Sequence, residues 1–229
     1  MDTAPPTLAI HKIPGGGGGG TDASASASAS YTLSETYMVR NVNTATMCAI
    51  RRALMQDVPC LVLETVQLDT YTGPLEQEYI AHRIGQLPVC SVDGSGDGAV
   101  FTCRMTAPET PVGRLTMATT ADFVLDRGHD GAAPMATMAW PDIDVVPLHP
   151  GQTVRLTARA TRRTARTGGT RWQCVHVAVR PGAGEGSPAT PPATDLTILT
   201  IDTTGAIPPR RALWHALTAI ELRLAALAV

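Results

Sequence analysis

Residues 41–89 constrain the fold more than any other part of the chain. Asn43 or Thr44 suits a helix N-cap, because a short polar side chain accepts hydrogen bonds from the free N–H groups of a first turn. Pro59 ends this helix, since the residue before a proline is pushed out of the helical conformation. Between these limits the apolar residues that recur at helical spacing are Met47, Ile50, Leu54 and Val58. The pattern predicts an amphipathic helix with one buried stripe.

The same stretch continues with a strand, a turn and a second helix. Residues 60–68 are apolar at first and then alternate with polar residues, which predicts a strand. Thr72, Gly73 and Pro74 are typical of a turn. Four residues suit the inward side of a short helix that has Gly85 as its C-cap: Leu75, Tyr79, Ile80 and Ile84.

Two basic pairs lie on these helices, Arg51 with Arg52 and His82 with Arg83. Arginines on a helix usually form a solvated face, but a guanidinium can also hold a carboxylate of another chain through two hydrogen bonds. His82 has no neighbour at the spacing of a metal ligand. The residues alone therefore leave a solvated surface and a contact surface open, and neither pair is assigned a catalytic role.

Composition excludes several classes of protein. The chain has 229 residues, 44% of them hydrophobic, which is enough for a sizeable core. Its net charge of −2 argues against a protein that holds nucleic acid through its overall charge. Five cysteines at wide spacings predict neither a disulfide framework nor a zinc knuckle, and an intracellular chain is expected. No signal sequence or membrane-spanning segment is recognised.

Several possible ligand sites lack a required residue. Residues 93–98 begin like a calcium loop, but Arg104 occupies the position that requires a carboxylate. The six histidines are scattered without the spacing of a metal site, and no nucleophile elbow is present. Residues 162–171 form a loop with four arginines, for which solvent, phosphate and an acidic partner are all possible contacts. We favour a loop that faces a partner.

Low-complexity segments divide the chain. Residues 14–30, rich in Gly and Ala-Ser, are predicted to be a flexible linker between strands at residues 7–13 and 31–39. From residue 90 to 182 short strands alternate with turns, and residues 183–194 form a second linker. Every second residue is apolar at residues 154–158, which predicts a half-buried strand, and Val175, Val177 and Val179 recur in the same way. A strand at residues 196–202 and a helix that begins near Pro209 complete the pattern.

The terminal helix carries an apolar row at alternating spacings of four and three residues: Leu213, Leu217, Ile220, Leu224 and Leu227. Such a row is typical of a helix that packs against another helix. Packing on the chain's own sheet is the alternative. The residues alone do not decide between these two partners for the row.

The chain resembles the alpha-like assembly subunits of cellular DNA-directed RNA polymerases, a family that includes the archaeal form and the third-largest subunit of eukaryotic RNA polymerase II. The matching segments are Asn-Val-Asn-Thr at residues 41–44, Ala-Ile-Arg-Arg-Ala-Leu at 49–54, Val58-Pro59, and residues 80–88. Further matches lie in residues 142–145, 148, 151–152, 156 and 172, and in the final strand, turn and helix. The single lysine, Lys12, is typical of a GC-rich genome, and a large DNA virus is one possible source.

The resemblance implies an α+β fold. A discontinuous dimerisation domain, built from a sheet and two or three helices, is expected at residues 1–89 and 195–229. A β-rich domain is expected to be inserted at residues 90–182, without the zinc or iron–sulfur ligands that some members carry. A bacterial alpha subunit fits less well, because the sequence ends after the terminal helix.

The resemblance also implies a set of subunit-interface residues and partners. The residues are Asn41, Asn43, Ile50, Arg51, Arg52, Leu54, His82, Arg83, Leu87, Leu213, Leu217, Ile220 and Leu224. The expected partners are a smaller alpha-like subunit in a heterodimer, the second-largest and largest polymerase subunits, and a small zinc-binding subunit. No cofactor, metal, membrane or sequence-specific nucleic acid is expected to bind the chain.

The chain is thus predicted to be a non-catalytic assembly subunit of a multisubunit DNA-directed RNA polymerase. Its location would be the nucleus of a eukaryote, the cytoplasm of an archaeon, or the cytoplasm or virion of a virus. The alternatives are a generic protein-interaction module and a standalone enzyme with an unrecognised site. The lack of any convergent set of ionisable residues argues against the enzyme.

Overall fold

The computed structural model describes residues 9–13, 33–91, 96–109, 115–126, 136–182 and 196–228. Both predicted linkers, residues 14–30 and 183–194, lie outside the described ranges, as does the first half of the possible calcium loop at residues 93–98. Within the described ranges the chain combines four α-helices with twelve β-strands in three sheets. The predicted α+β class is confirmed.

The helices are α1 (Thr44–Gln56), α2 (Gln77–Ile84), α3 (Ala165–Gly168) and α4 (Pro209–Leu227). The strands are β1 (Ala9–Lys12), β2 (Ser34–Arg40), β3 (Cys60–Tyr71), β4 (Val89–Ser91), β5 (Val100–Thr106), β6 (Thr116–Thr119), β7 (Phe123–Asp126), β8 (Ala136–Met138), β9 (Asp144–Leu148), β10 (Thr153–Arg163), β11 (Val175–Pro181) and β12 (Leu196–Thr203). Single 3-10 turns precede β7 and β11.

Helix α1 begins and ends close to the predicted positions. The Asn43 side chain is its N-cap, since the Asn43 Oδ1 accepts a hydrogen bond from the backbone N–H of Thr46 at 2.7 Å. The last helical residue is Gln56, shortly before Pro59. Local sequence signals at both ends therefore determine this helix.

The first sheet is antiparallel, with strands in the order β1-β2-β12-β11. Helices α1 and α4 pack against each other and against this sheet. Ile50 and Leu54 of α1, Leu199 and Ile201 of β12, and Ala216 of α4 are almost completely buried in the shared core. The apolar stripe of α1 is buried as predicted, because it faces this core.

The second sheet has six antiparallel strands in the order β7-β5-β10-β3-β4-β8. Strand β10 is central and pairs with β3 on one side and β5 on the other. Its residues Val154, Leu156 and Ala158 are buried while Arg155 and Arg159 are exposed, which confirms the alternation predicted for a half-buried strand. The antiparallel pair of β6 and β9 and the helix α2 contribute to the same core.

Strand β3 lies between the two cores. Its first four residues are all buried: Cys60 and Val62 belong to the core beneath α1 and α4, and Leu61 and Leu63 belong to the core of the second sheet. Successive side chains of a strand point to opposite faces, so a strand covered on both faces reads as a continuous apolar run. This explains why the predicted strand starts apolar and alternates only further along.

Helix α2 differs from the prediction in one residue. Ile80 and Ile84 have no exposed surface, as expected, but Tyr79 is 52% exposed. In a helix of eight residues, the inward stripe is narrow and follows positions i and i+4. Tyr79 lies one position off that stripe, and the prediction that it faces inward was wrong.

The strand pairing connects segments on either side of the proposed domain boundaries. Strand β11, before the second boundary, hydrogen-bonds to β12 after it. Strand β3, before the first boundary, pairs with β10 from the segment proposed as the inserted domain. The division into a dimerisation domain and an inserted domain stays a prediction.

Candidate subunit interface

Helix α4 leaves the core of its own chain part-way along its length. Every residue from 221 to 228 is exposed. Along the apolar row Leu213 is 7% exposed and Leu217 is half-buried, whereas Leu224 is 62% and Leu227 is 84% exposed. The first half of the row therefore completes the chain's own core, and the second half presents leucines to solvent. Contiguous exposed apolar surface of this kind is typical of an interaction site.

Four of the predicted interface residues are buried within the chain: Ile50, Leu54, Leu87 and Leu213. Leu87 packs in the core of the second sheet, and the other three pack between α1, α4 and the first sheet. Side chains this deeply buried have little surface left for a partner. They hold the surface helices in place, while Leu217 and Ile220 are only half-buried.

The outer face of α1 is polar. Arg51 and Arg52 are both exposed, and so is the cap residue Asn43. Asn41, between β2 and α1, has a φ of 58°, a left-handed conformation that a short polar residue tolerates better than most. The structure thus exposes all four predicted residues, two of them at the start of α1 and two in its second half.

The second basic pair is divided between solvent and the chain itself. His82 is exposed on α2, whereas Arg83 makes a contact within the chain. Arg83 is half-buried and donates a hydrogen bond from Nη2 to the backbone oxygen of Asp144 at 2.6 Å. Arg83 thereby connects α2 to β9, an intramolecular role that does not require a partner.

Sequence analysis missed a groove beside α1. It encloses about 900 Å³ between residues 42–51 and the paired ends of β11 and β12. Val179, 37% exposed on the edge strand β11, lines it together with Met47 and Arg51. The alternation of Val175, Val177 and Val179 predicted the strand, but the position of that strand at the sheet edge depends on long-range pairing.

A known protein family matches most of this chain. The family described as "RNA polymerase Rpb3/Rpb11 dimerisation domain" matches residues 36–224, which include α1, most of α4, and β11, β12 and most of β2 in the first sheet. The chain belongs to this Rpb3/Rpb11 family. The resemblance inferred from residues 41–89 is confirmed.

Individual relatives of this Rpb3/Rpb11-family chain are distant. The DNA-directed RNA polymerase subunit Rpo3 of Methanosarcina acetivorans is 30% identical over 139 residues, which cover 56% of this chain and 49% of the relative. The Rpo3 subunit of Pyrobaculum aerophilum is 25% identical over 149 residues, covering 60% and 54% respectively. RNA polymerase II subunit RPB3 of Schizosaccharomyces pombe is 26% identical over 58 residues, covering 25% and 20%. The chain spans about half the length of the archaeal relatives it matches.

A buried carboxylate joins the two surface helices of this Rpb3/Rpb11-family chain. Asp57, the C-cap of α1, is 5% exposed at its side chain and forms ion pairs with Arg166 of α3 and Arg223 of α4. Burial by itself raises the pKa of Asp57, but hydrogen bonds from the two guanidinium groups outweigh burial and hold that pKa below its ordinary value. Sequence analysis did not identify this contact.

The arginine-rich loop at residues 162–171 makes several contacts within the chain. Arg166 binds Asp57, and Arg163 lies 3.3 Å from a carboxylate oxygen of Glu64. The guanidinium carbons of Arg163 and Arg171 lie 5.5 and 5.8 Å from the ring centre of buried Trp172. Three of the four arginines therefore contact their own chain, although Arg163 and Arg166 stay about half exposed. The interpretation of the loop as a partner-facing surface stays a prediction.

The described part of this Rpb3/Rpb11-family chain offers no metal centre and no membrane span. No three histidine, cysteine, aspartate or glutamate side chains in those residues come together in a way that could hold a metal ion. None of the helices found there is long and apolar enough to cross a membrane. The exposed leucines of α4 and the exposed arginines of α1 mark the candidate functional site.

Proposed function

We propose that this chain is a non-catalytic assembly subunit of a multisubunit DNA-directed RNA polymerase. It pairs with a smaller alpha-like subunit through α1 and α4, and the heterodimer supports the large catalytic subunits. The observation that carries the proposal is the apolar row of α4, which leaves the chain's own core in a family described as a dimerisation domain.

The exposed end of α4 supports a helix-on-helix contact. Leu222, Leu224 and Leu227 are 66%, 62% and 84% exposed. Burying one leucine side chain fully is worth about 1.5–3 kcal/mol, so three leucines covered by a partner helix contribute a useful part of a stable interface. Asp57 at the end of α1 connects α1 to α4, because its carboxylate forms an ion pair with Arg223 of α4.

The exposed Arg51 and Arg52 support a second, polar contact. Guanidinium groups at a protein interface bind carboxylates through two hydrogen bonds and tolerate partial desolvation better than an ammonium group does. We assign these arginines to carboxylates of the large polymerase subunits, with a small zinc-binding subunit as a further neighbour. Both arginines are already exposed on a helix fixed by its core, so little reorganisation is needed.

The nucleotidyl transfer itself belongs to the large subunits in this proposal. The assembly subunit contributes geometry, and its net charge of −2 supports contact with proteins rather than sequence-specific contact with DNA. The protein would act inside the cell, in the nucleus of a eukaryote or in the cytoplasm of an archaeon. For a viral source the cytoplasm or the virion is the expected location.

Affinity purification from the source organism tests the function. The tagged full-length chain should recover a smaller alpha-like subunit and both large polymerase subunits, identified by mass spectrometry. Recovery of a well-behaved monomer without any polymerase subunit would contradict the proposal. Expressed alone, the chain should self-associate or precipitate, because the leucines of α4 then lack a partner.

A further inference from the structure

A small cavity lies between the second sheet and the first turns of α4, away from the exposed leucines. Its empty space is about 300 Å³, including the part that opens to solvent. Its polar lining comes from Ser91 at the end of β4, Arg162 near the end of β10, and Arg211 and His215 of α4. Three of these four side chains are basic, and the two arginines carry positive charge.

Two hydrogen-bond donors in this lining are buried without a partner among the described residues. They are the Nε of Arg162 and the Oγ of Ser91. Buried donors in folded proteins are nearly always satisfied, because an unpaired one retains the full cost of losing water. Because both unpaired donors belong to residues that line one cavity, an acceptor bound in that cavity could satisfy them.

The electrostatics of the lining favour an acceptor that carries negative charge. Burial lowers the pKa of His215, and the neighbouring charges of Arg211 and Arg162 lower it further. Burial likewise lowers the pKa of Arg162, and the charge of Arg211 adds to that effect. Neighbouring positive charges make each other's protonated form less favourable. An anion that binds between such groups favours their protonated forms.

The neighbouring acidic groups of the described ranges do not supply that anion. Asp97 is exposed, and its Oδ1 accepts a hydrogen bond from the backbone N–H of Arg162 at 2.9 Å, which leaves the Arg162 Nε unpaired. Cys60 also lines the cavity, but a hydrogen bond with Cys174 and burial raise its pKa, so the thiol stays neutral. Neither Asp97 nor Cys60 therefore supplies an acceptor for the Nε of Arg162.

We infer that this cavity is a binding site for one small carboxylate group, held by the Nε–H of Arg162 and the Oγ–H of Ser91. A carboxylate offers two oxygens to these two donors. Two sources have this chemistry: a free small anion, and an aspartate or glutamate side chain of a bound subunit.

Formate is the probe that tests the site. Thermal unfolding of the full-length chain is followed while sodium formate replaces the sodium salt of a bulky sulfonate at constant ionic strength. The melting temperature should rise and saturate with formate, because a ligand that binds only the folded state stabilises it. Arg162→Met should weaken the apparent formate affinity about tenfold or more, the effect of losing one charge-assisted hydrogen bond. Ser91→Ala should weaken it less.

Arg155→Met is the matched control, since Arg155 lies exposed on the same strand. It should respond to formate like the unaltered chain. No response of the unaltered chain to formate, or equal losses for Arg155→Met and Arg162→Met, would overturn the proposal. If Arg162→Met fails to fold, Arg162→Lys and Ser91→Ala provide the same comparison, because both retain most of the packing.

The purified complex distinguishes the two sources. If a partner's carboxylate occupies the cavity, the formate response disappears in the complex and Arg162→Met reduces recovery of that partner, while Arg155→Met does not. If the response persists in the complex, the site takes a free anion. A chloride titration that matches the formate titration would show a site for any small anion and would overturn the assignment to a carboxylate.

Discussion

The Oδ1 of Asp57 lies 2.5 Å from the Nη2 of Arg223, and this ion pair joins the end of α1 to the exposed half of α4. The same oxygen lies 2.7 Å from the Nε of Arg166 on α3. The carboxylate is 5% exposed, whereas the two arginines are about half exposed. One acidic side chain therefore connects α1, α3 and α4. Two of these helices, α1 and α4, form the candidate interface.

Replacing Asp57 with asparagine should destabilise the chain by about 1.5–3 kcal/mol, the range for hydrogen bonds to charged groups. The two arginines keep their solvent contact, so the loss should fall short of that for a fully buried pair. The midpoint of denaturant unfolding measures the change. Asp144→Asn, at an exposed aspartate of β9, is the control and should leave the midpoint nearly unchanged.

The Asp57 contacts should also be lost in acid. Burial raises the pKa of this carboxyl group, but the arginine hydrogen bonds outweigh burial, and the folded-state pKa lies below the ordinary 3.8. The stabilisation is therefore complete above about pH 4–5 and disappears as pH falls through the folded-state pKa, because the unfolded chain binds the proton first. The stability difference between the unaltered chain and Asp57→Asn should shrink as the pH is lowered from neutral into the acidic range. A difference that stays constant on acidification would contradict the assignment.

Changing Leu224 and Leu227 together to aspartate should abolish pairing with the smaller subunit and make the isolated chain more soluble. Both side chains are largely exposed, so the fold should persist, as circular dichroism and the melting temperature would show. Val124→Asp is the matched control, since Val124 is 63% exposed on the edge strand β7. Equal loss of pairing in this control would place the interface elsewhere.

Changing Arg51 and Arg52 together to glutamine should weaken recovery of the large polymerase subunits while the smaller subunit still co-purifies. The reason is that both guanidinium groups are exposed and neither residue belongs to the buried core beneath α1. Arg104 and Arg155, exposed on β5 and β10, serve as the control pair. Unchanged recovery of every subunit would mean that Arg51 and Arg52 are merely solvated.

Gly205→Ala should destabilise the turn before α4 by about 1–3 kcal/mol. Gly205 has a φ of 93°, and an added Cβ would lie 3.0 Å from the Nε1 of Trp140, which donates to the backbone oxygen of Thr204 at 2.9 Å. Gly98→Ala separates strain from crowding, because Gly98 has a φ of 80° but its nearest neighbour atom, on Arg159, is 3.8 Å away. Equal losses in unfolding experiments would assign the whole effect to backbone strain.

The parts of the fold that the sequence predicts are those with local signals. The Asn43 cap, the stop before Pro59 and the alternation along β10 are each encoded within a few neighbouring residues. The Asp57–Arg166 contact joins residues 109 positions apart, and no local pattern marks it. For the same reason the loop arginines were assigned to a partner: their charge is visible in the sequence, but their packing on Trp172 is not.

The candidate interface was predictable as a pattern but not in its extent. The spacing of the α4 row predicts the same environment for each leucine, yet Leu213 is buried and Leu224 is exposed. The difference arises because the core shared with α1 and the first sheet reaches along α4 only as far as Ile220, and the extent of a core is a tertiary property. Periodicity identifies which side of a helix is apolar, whereas packing decides which molecule covers it.

The two halves of α4 have consequences for the abundance of the protein. The first half is buried when the chain folds, whereas the second half leaves its leucines exposed; in the proposed function, another subunit covers them. A newly made copy without a partner keeps this apolar surface exposed. Chaperones and proteases act on incompletely folded proteins that expose such surface. Supply of the smaller subunit would then set how many copies survive, and balanced stoichiometry would follow from the helix itself without a separate regulator.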